Sequence, residues 1–300
     1  MPAAFLTGGA SGLGKATAQM LVKNGYGYSS TDKQFLNLIS RSIKVFIADR
    51  NAEGAKSVVD ELNKNGKMAE STGMEVGDWN SQVAAFSLAV QTFGRIDYVY
   101  AIAGISERQW LTNDVGTTKF QPPDLSVMDV NLTGLFYTVA IAVQQFRRQQ
   151  PDSNGFRGKI GIVGSVCGLY CCPTIPVYTA AKHAVTGFVR SYGKYLPEEQ
   201  ITMNAVCPSV VRTNISTAEF YQSLDSVGVM TPMEGILDTF ESLLGKNETS
   251  GVCYEVGPNY KTQGAVETSP PPFLDRESEV VFEKLYERSR PMHGPRSVNN

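Results

Sequence analysis

The stretch Thr7-Gly8-Gly9-Ala10-Ser11-Gly12-Leu13-Gly14 decides how the chain folds. It joins an apolar run at residues 3–6 to a segment of helical spacing at residues 14–24. Glycines at such a turn let the chain reverse tightly, and they let backbone amides approach a pyrophosphate at the positive end of the helix. The alternative is a glycine-rich turn that binds no ligand. The residues predicted to form the phosphate end of a dinucleotide site are Gly8, Ser11, Gly12, Leu13 and Gly14.

Apolar runs of strand length recur along the chain and alternate with longer segments of helical spacing. The further predicted strands are 44–48, 68–76, 96–101, 159–163, 201–207 and 251–256. The predicted helices are 14–24, 52–65, 82–93, 125–149 and 179–196. Nearly continuous apolar strands separated by helices are typical of parallel sheets that are covered on both faces. The sequence therefore predicts an α/β fold with a single Rossmann-type doubly wound domain.

Composition excludes several classes of protein. The 300 residues include 27 basic and 29 acidic side chains, a formal net charge of −2, and they show no basic stripe of the kind that binds nucleic acid. The apolar stretch at 135–143 is much shorter than the roughly 20 residues that span a bilayer, and the first residues do not resemble a signal peptide. Five cysteines, an odd number, favour reduced thiols. We therefore expect a cytoplasmic protein that binds neither nucleic acid nor membrane.

Metal binding is not predicted. His183 and His293 are isolated, and the cysteine cluster is not completed by a histidine or by a second cysteine pair, as a zinc site would require. Packing is the favoured role for this cluster, which consists of Cys167, Cys171 and Cys172.

Asp49 ends the second predicted strand and is followed by Arg50. A carboxylate at this place can accept hydrogen bonds from both ribose hydroxyls of an adenosine and repels a 2′-phosphate, which favours NAD over NADP. A guanidinium at Arg50 could instead pair with that phosphate, so NADP is the alternative cofactor. Val76, after Glu75 and the third predicted strand, is expected to flank the adenine.

Tyr178 and Lys182 stand four residues apart, on one face of a predicted helix. An unperturbed tyrosine has a pKa of about 10. A neighbouring ammonium and the positive charge of an oxidised nicotinamide both favour the phenolate and lower that pKa. We therefore expect Tyr178 to exchange a proton with the oxygen of a substrate alcohol or carbonyl while hydride moves to or from the cofactor.

Ser165 and Asn131 are the other two candidate catalytic residues. Ser165 follows the fifth predicted strand, at the edge where open α/β sheets bind ligands, and its hydroxyl can hydrogen-bond the same substrate oxygen as Tyr178. Asn131 falls inside a long predicted helix, and its amide is expected to hold a water that connects Lys182 to solvent. The alternative for Asn131 is an ordinary residue of a kinked helix.

The order and spacing of these residues resemble the short-chain dehydrogenase/reductase superfamily, over residues 3 to about 257. The resemblance implies a sheet of seven parallel strands and an NAD(P) cofactor that Asn131, Tyr178 and Lys182 also contact. It implies catalytic roles for the four residues Asn131, Ser165, Tyr178 and Lys182. Residues 98–214 are most similar to fungal NAD-dependent enzymes related to 15-hydroxyprostaglandin dehydrogenase, many of which serve secondary metabolism.

Two further segments resemble segments of the family, but each differs from the family's pattern. Residues 207–213 resemble the family's nicotinamide-binding segment, in which Val211 and Thr213 keep their places while Ser209 replaces a glycine. Residues 101–104 resemble the family's Asn-Asn-Ala-Gly segment and place Ala103 and Gly104 beside the cofactor. Ile102 replaces an asparagine there, so we expect some local stability to be lost.

The predicted function is an NAD(P)-dependent oxidoreductase that interconverts a secondary alcohol and a ketone, on a small molecule of secondary metabolism. Two alternatives are a catalytically silent nucleotide-binding regulatory protein and a non-redox epimerase or dehydratase on the same fold. Helices 125–149 and 179–196 carry more apolar residues than one buried face needs, and the equivalent helices of the family pair between subunits. We therefore expect a homodimer or homotetramer.

The substrate side is predicted from aromatic residues. Trp110, Phe220 and Tyr221 lie in the two loops expected to border the substrate. They either form an apolar wall for a bulky substrate or fill the core beneath the loops.

Two segments do not fit the alternating pattern. Residues 26–43 follow the first helix, where connections usually run about 2–6 residues, and they are predicted to be a surface loop or a retained intron. Residues 258–300 are predicted to be a tail with one helix at 276–288. The catalytic domain is accordingly expected to span residues 1–257.

Overall fold

The computed structural model describes residues 1–23, 42–112, 115–116 and 118–294. The chain divides into two compact units, Met1–Thr268 and Ser269–Asn300. The predicted insertion at 26–43 lies outside the described residues except for its last two positions. Of these, Ile43 is buried, and its amide donates a hydrogen bond to the carbonyl of Leu21 at 3.0 Å. Ile43 therefore belongs to the core and not to an inserted loop.

Strands and helices alternate through the first unit. The strands are β1 (Ala3–Thr7), β2 (Lys44–Asp49), β3 (Ala69–Gly73), β4 (Tyr98–Ala101), β5 (Gly158–Val163), β6 (Ile201–Pro208), β7 (Cys253–Val256) and β8 (Val266–Thr268). The helices are α1 (Gly12–Lys23), α2 (Ala52–Leu62), α3 (Trp79–Phe93), α4 (Ser126–Arg147), α5 (Pro176–Tyr195), α6 (Ala218–Asp225), α7 (Met233–Ser242) and α8 (Tyr260–Gln263).

All the strands belong to one sheet, in the order β3-β2-β1-β4-β5-β6-β7-β8. Strands β1 to β7 are parallel, and β8 pairs antiparallel with β7. The α/β prediction is confirmed, with β8 as an eighth strand beyond the seven expected. Because β8 pairs with β7, the first compact unit ends at Thr268 and not at residue 257.

Both faces of the sheet are covered, as the apolar strands predicted. Side chains alternate along β1, so Phe5 belongs to the core cluster that contains residues of α3, α4 and α5, and Leu6 belongs to the one that contains residues of α1, α2 and α7. Strand order reverses between β1 and β4, which are direct neighbours. In open α/β sheets, ligands bind beyond the carboxyl ends of the strands at such a switch point.

Helix α4 combines a long apolar sequence with a local irregularity. Among the described residues it is the one helix long and apolar enough to cross a membrane. Its side chains Leu135, Val139 and Val143 are buried in the hydrophobic core, which is typical of the core helix of a globular domain. A π-helical turn at Asp129–Thr133 interrupts it, and such turns often occur at functional sites.

The second unit contains a helix, α9 (Arg276–Ser289), close to the predicted 276–288. The Asp275 side chain caps it by accepting a hydrogen bond from the Ser278 amide at 2.8 Å. The rings of Phe273 and Phe282 lie 5.4 Å apart, centre to centre. This unit therefore has its own cap and its own aromatic contact.

Candidate active site

The turn between β1 and α1 accepts only glycine at several places. Gly8 has φ +76° and Gly12 has φ +51°, a region that side chains disfavour. A Cβ on Gly14 would collide with the carbonyl oxygen of Gly8, and a Cβ on Gly8 would lie 2.7 Å from the Cα of Ala103. The turn is therefore a bare-backbone cradle at the start of α1, which fits a pyrophosphate.

The segment after β6 lies against this cradle. A Cβ on Gly12 would lie 3.0 Å from the Cβ of Thr213, so the two loops nearly touch. Val211 is buried in the core, which fixes the start of the segment. The structure thus brings the predicted pyrophosphate and nicotinamide segments together.

Asp49 lies at the carboxyl end of β2 and holds the same turn. Its Oδ2 accepts a hydrogen bond from the Ala10 amide at 3.0 Å, and its Oδ1 accepts one from the Asn51 amide at 2.9 Å. Arg50 is exposed. Asp49 therefore anchors the glycine turn, a contact that the sequence analysis did not predict.

Val76 lies where the chain leaves β3. It is buried, and a Cβ on Gly134 would lie 2.8 Å from its carbonyl oxygen. The side-chain amide of Gln82 donates hydrogen bonds to the carbonyl oxygens of both Val76 and Gly134, at 2.5 and 2.8 Å. The loop after β3 is thus tied to α4.

Thr7 is a site residue that sequence reasoning missed. Its Oγ1 accepts hydrogen bonds from the amides of Ile102 and Ala103, at 3.1 and 3.2 Å. These bonds hold the loop after β4 at the switch point, where Ile102 replaces the family's asparagine. They oppose the local loss of stability that this replacement led us to expect.

Three of the four candidate catalytic residues lie together, Ser165 just after the carboxyl end of β5 and Tyr178 and Lys182 in the first two turns of α5. Ser165 is 8% exposed and shares a side-chain hydrogen bond with Tyr178. Nζ of Lys182 lies 5.7 Å from the centre of the Tyr178 ring. The hydroxyl, the phenol and the ammonium therefore form one cluster at the carboxyl end of β5.

Burial dominates the acid–base properties of this cluster. Burial raises the pKa of Tyr178 to about 12, and the hydrogen bond with Ser165 offsets only part of that rise. Burial also lowers the pKa of Lys182 to about 8. Among the protein's own groups, burial thus shifts the Tyr178 pKa upward and not downward as expected from Lys182, while the lowering by an oxidised nicotinamide stays a prediction. At neutral pH the phenol keeps its proton and can donate it.

Asn131 lies in the π turn of α4 and is 1% exposed. Its Oδ1 accepts a hydrogen bond from the Ile105 amide, and its Nδ2 donates one to the Ile105 carbonyl, both at 2.8 Å. Oδ1 also lies close to Gly104, 3.2 Å from where a Cβ would be. Asn131 therefore clamps the loop after β4, while its predicted role in holding a water stays a prediction.

Glu107, in the same loop, was also missed. Its carboxylate accepts hydrogen bonds from the amides of Val177 and Tyr178, at 3.2 and 2.5 Å. The sequence signal was weak: α5 begins with Pro176, after the apolar Ile175, so its cap has to come from elsewhere. The loop after β4 thus contacts the backbone of Tyr178 directly.

The predicted substrate wall divides into different environments. Tyr221 is 3% exposed, and its hydroxyl lies 3.3 Å from Oγ1 of Thr213. Phe220 is 43% exposed, and Trp110 is half-buried. Tyr221 therefore packs beside residues 207–213, while Phe220 and Trp110 stay partly exposed, and their role in a substrate wall stays a prediction.

The cysteines differ in exposure. Cys171 is exposed, Cys167 and Cys172 are half-buried, and all three are free thiols. Burial raises the pKa of the Cys167 thiol. In the part of the chain that the structure describes, no three His, Cys, Asp or Glu side chains are grouped to hold a metal ion.

Known proteins resemble this chain in sequence and fold. The family model for short chain dehydrogenases matches residues 2–223. The short-chain dehydrogenase/reductase prx7 of Penicillium rubens is 31% identical over 183 residues, 59% of this chain and 63% of prx7, less than two thirds of its length. Cyclohexanol dehydrogenase of an Acinetobacter species is 27% identical over 87% of this chain and 93% of its own.

One solved structure shows the same fold. The 3-ketoacyl-(acyl-carrier-protein) reductase of Brucella melitensis, crystallised with NADH, superposes with a TM-score of 0.69 at 20% identity. The match covers 86% of this chain and 97% of the reductase. The resemblance predicted from the motifs, with fungal proteins among the relatives, is confirmed.

Proposed function

Because the chain belongs to the short-chain dehydrogenase family, we propose that it is an NAD(P)-dependent oxidoreductase that interconverts a secondary alcohol and a ketone. The observation that carries the proposal is the cluster of Ser165, Tyr178 and Lys182 at the carboxyl end of β5. A buried proton donor supports the proposal, because reduction of a carbonyl by hydride also requires a proton for the carbonyl oxygen.

The residues that would hold the cofactor come from three loops. Backbone amides of the glycine turn would bind the pyrophosphate. Asp49 would bind the adenosine ribose, and the segment from Val211 to Thr213 would bind the nicotinamide carboxamide. The bound nicotinamide supplies or accepts the hydride. The close backbone packing at Gly8 and Gly14 supports this fit, because it leaves no room for a Cβ and keeps the turn at the start of α1 free of side chains at these two positions.

In the reducing direction Tyr178 donates its proton to the carbonyl oxygen. Its raised pKa keeps the phenol protonated at neutral pH. Ser165 holds the same oxygen through its hydroxyl, and the hydrogen bond between Ser165 and Tyr178 aligns the two groups. Lys182 places a positive charge under the ring below a pH of about 8.

NAD is the proposed cofactor, with NADP as the alternative. The Asp49 carboxylate, fixed by two backbone amides, would accept the ribose hydroxyls and repel a 2′-phosphate. Arg50 is exposed, and its guanidinium could pair with the 2′-phosphate of NADP, which is why NADP is the alternative.

The substrate is proposed to be a small secondary alcohol or ketone of secondary metabolism, converted in the cytoplasm. Support comes from the fungal relative prx7 and from the name of the Acinetobacter relative, cyclohexanol being a secondary alcohol. We propose a homodimer or homotetramer formed through α4 and α5. The exposed Phe136 of α4, in contact with Phe188 of α5, supports this assembly.

A spectrophotometric assay tests the proposed function. NADH and NADPH are each offered with a panel of cyclic and linear ketones, and absorbance at about 340 nm is followed together with cofactor binding. We expect turnover with at least one ketone, and a loss of about a hundredfold or more in Ser165→Ala with unchanged NADH binding. Cofactor binding without turnover of any ketone in the panel would favour the silent regulatory protein instead.

A further inference from the structure

The first turn of α5 cannot cap itself. The first amides of a helix lack partners within the helix, and a polar side chain just before the helix usually satisfies them. Ile175, which precedes α5, has an apolar side chain, and Pro176 has no N–H to satisfy. The amides of Val177 and Tyr178 therefore need an acceptor from another part of the chain.

Glu107 supplies that acceptor from a loop about seventy residues earlier in sequence. One carboxylate oxygen accepts from Val177 and the other from Tyr178. Hydrogen bonds to a charged acceptor are stronger than neutral ones, and a negative charge is favourable at the N-terminal end of a helix. A single side chain thus holds both free amides of the turn that carries the predicted proton donor.

The loop that carries Glu107 is itself held on the other side. Asn131 binds both the amide and the carbonyl of Ile105, two residues before Glu107. Three residues after Glu107 comes Trp110, whose carbonyl accepts a hydrogen bond from the Asp124 amide at 2.9 Å. A continuous set of contacts therefore runs from Asn131 through the loop to the backbone of Tyr178.

We propose that Glu107 is a positioning residue that holds Tyr178 in line for proton transfer. It thereby couples the loop bordering the substrate to the first turn of α5. The inference deepens the proposed function and rests on it. Its physical basis is that an uncapped first turn frays, and a displacement of about 1 Å at a reacting group costs roughly a hundredfold in rate.

Two substitutions at Glu107 test the inference. Glu107→Ala removes both acceptors, and we expect kcat to fall about ten- to a hundredfold while the KM for NADH changes less than about threefold. Glu107→Gln keeps one acceptor oxygen, and we expect it to retain a kcat several-fold above that of Glu107→Ala. A matched control is Asp275→Ala, which removes a carboxylate cap from α9, and it should keep the wild-type kcat.

Hydrogen exchange followed by mass spectrometry gives a readout that needs no turnover. Glu107→Ala should speed exchange in a peptide spanning the first turn of α5, whereas Asp275→Ala should not. Unchanged exchange there, or a kcat equal to wild type, would overturn the inference. A wild-type protein that consumes no cofactor would instead overturn the proposed function, and the exchange result would still decide whether Glu107 holds the turn.

Discussion

Nζ of Lys182 donates a hydrogen bond to the backbone carbonyl of Val163 at 3.0 Å. The Lys182 residue is only 5% exposed, so its charged group is buried. A second buried lysine, Lys159, lies with its Nζ against the carbonyl oxygen of Asn247 and 3.5 Å from the centre of the Phe156 ring. Burial lowers the pKa of both lysines to about 8. Both lysines are therefore buried at sites that favour the neutral amine over the charged ammonium.

Folding stability should rise with pH between about 8 and about 10. In the unfolded chain these lysines keep their protons up to a pKa of about 10.4, whereas in the folded protein Lys159 and Lys182 lose them near 8. The unfolded state then binds more protons, so the free energy of unfolding increases with pH, by up to about 1.4 kcal/mol per pH unit for each lysine. Above pH 10 the trend reverses, since burial raises the pKa of Tyr98 and Tyr178 to about 12.

Urea unfolding at about pH 7.5 and about pH 9.5 measures this slope. Lys159→Met serves as the comparison, because it removes one of the two groups and leaves the catalytic cluster intact. We expect a smaller increase in that variant than in the wild type. If the free energy of unfolding of the wild type stays level or falls between the two pH values, the pKa of these lysines is not lowered in the folded protein.

Asp49→Asn should weaken the preference for NAD over NADP. The amide can still accept one of the two backbone hydrogen bonds, but it no longer repels a 2′-phosphate. We expect the ratio of kcat/KM with NAD to that with NADP to fall by at least about tenfold, or 1.4 kcal/mol. Asp60→Asn, on the exposed face of α2, is the control and should leave the ratio unchanged. A wild-type protein that prefers NADP would refute the assignment.

Phe136→Glu should break the proposed assembly. Phe136 is 38% exposed on α4, and its ring centre lies 4.7 Å from that of Phe188 on α5. A carboxylate buried between two such faces would lack a partner, which is strongly unfavourable. Light scattering after gel filtration should show a dimer or tetramer for the wild type and a monomer for the variant. Val227→Glu, at another exposed apolar site, should keep the wild-type mass; a monomeric wild type would contradict the proposal.

Local patterns in the sequence predicted the sheet well. Seven apolar runs gave the seven parallel strands, because central strands of such sheets are apolar on both faces. The short strand β8 and the helices α6, α7 and α8 were not predicted. They are short, and β8 depends on pairing with β7, which a local pattern does not reveal.

The sequence predicted which polar residues form the site, but it did not predict the contacts that hold them in place. The motif spacing identified Ser165, Tyr178 and Lys182 as a cluster. Thr7 and Glu107 were missed because their partners lie about ninety-five and seventy residues away. The rise in the Tyr178 pKa was not foreseen because it comes from burial, which depends on the whole fold; the lowering by an oxidised nicotinamide stays a prediction.

Replacing the Tyr178 hydroxyl shows whether this residue transfers the proton. Tyr178→Phe should lower kcat for ketone reduction by at least about a hundredfold, and NADH binding should remain within a few-fold of wild type. The matched control is Tyr170→Phe, in the loop between Ser165 and Tyr178, whose hydroxyl donates to Glu255 on the exposed surface. It should turn over at the wild-type rate. A Tyr178→Phe variant that reduces the ketone as fast as the wild type would show that the proton comes from another group.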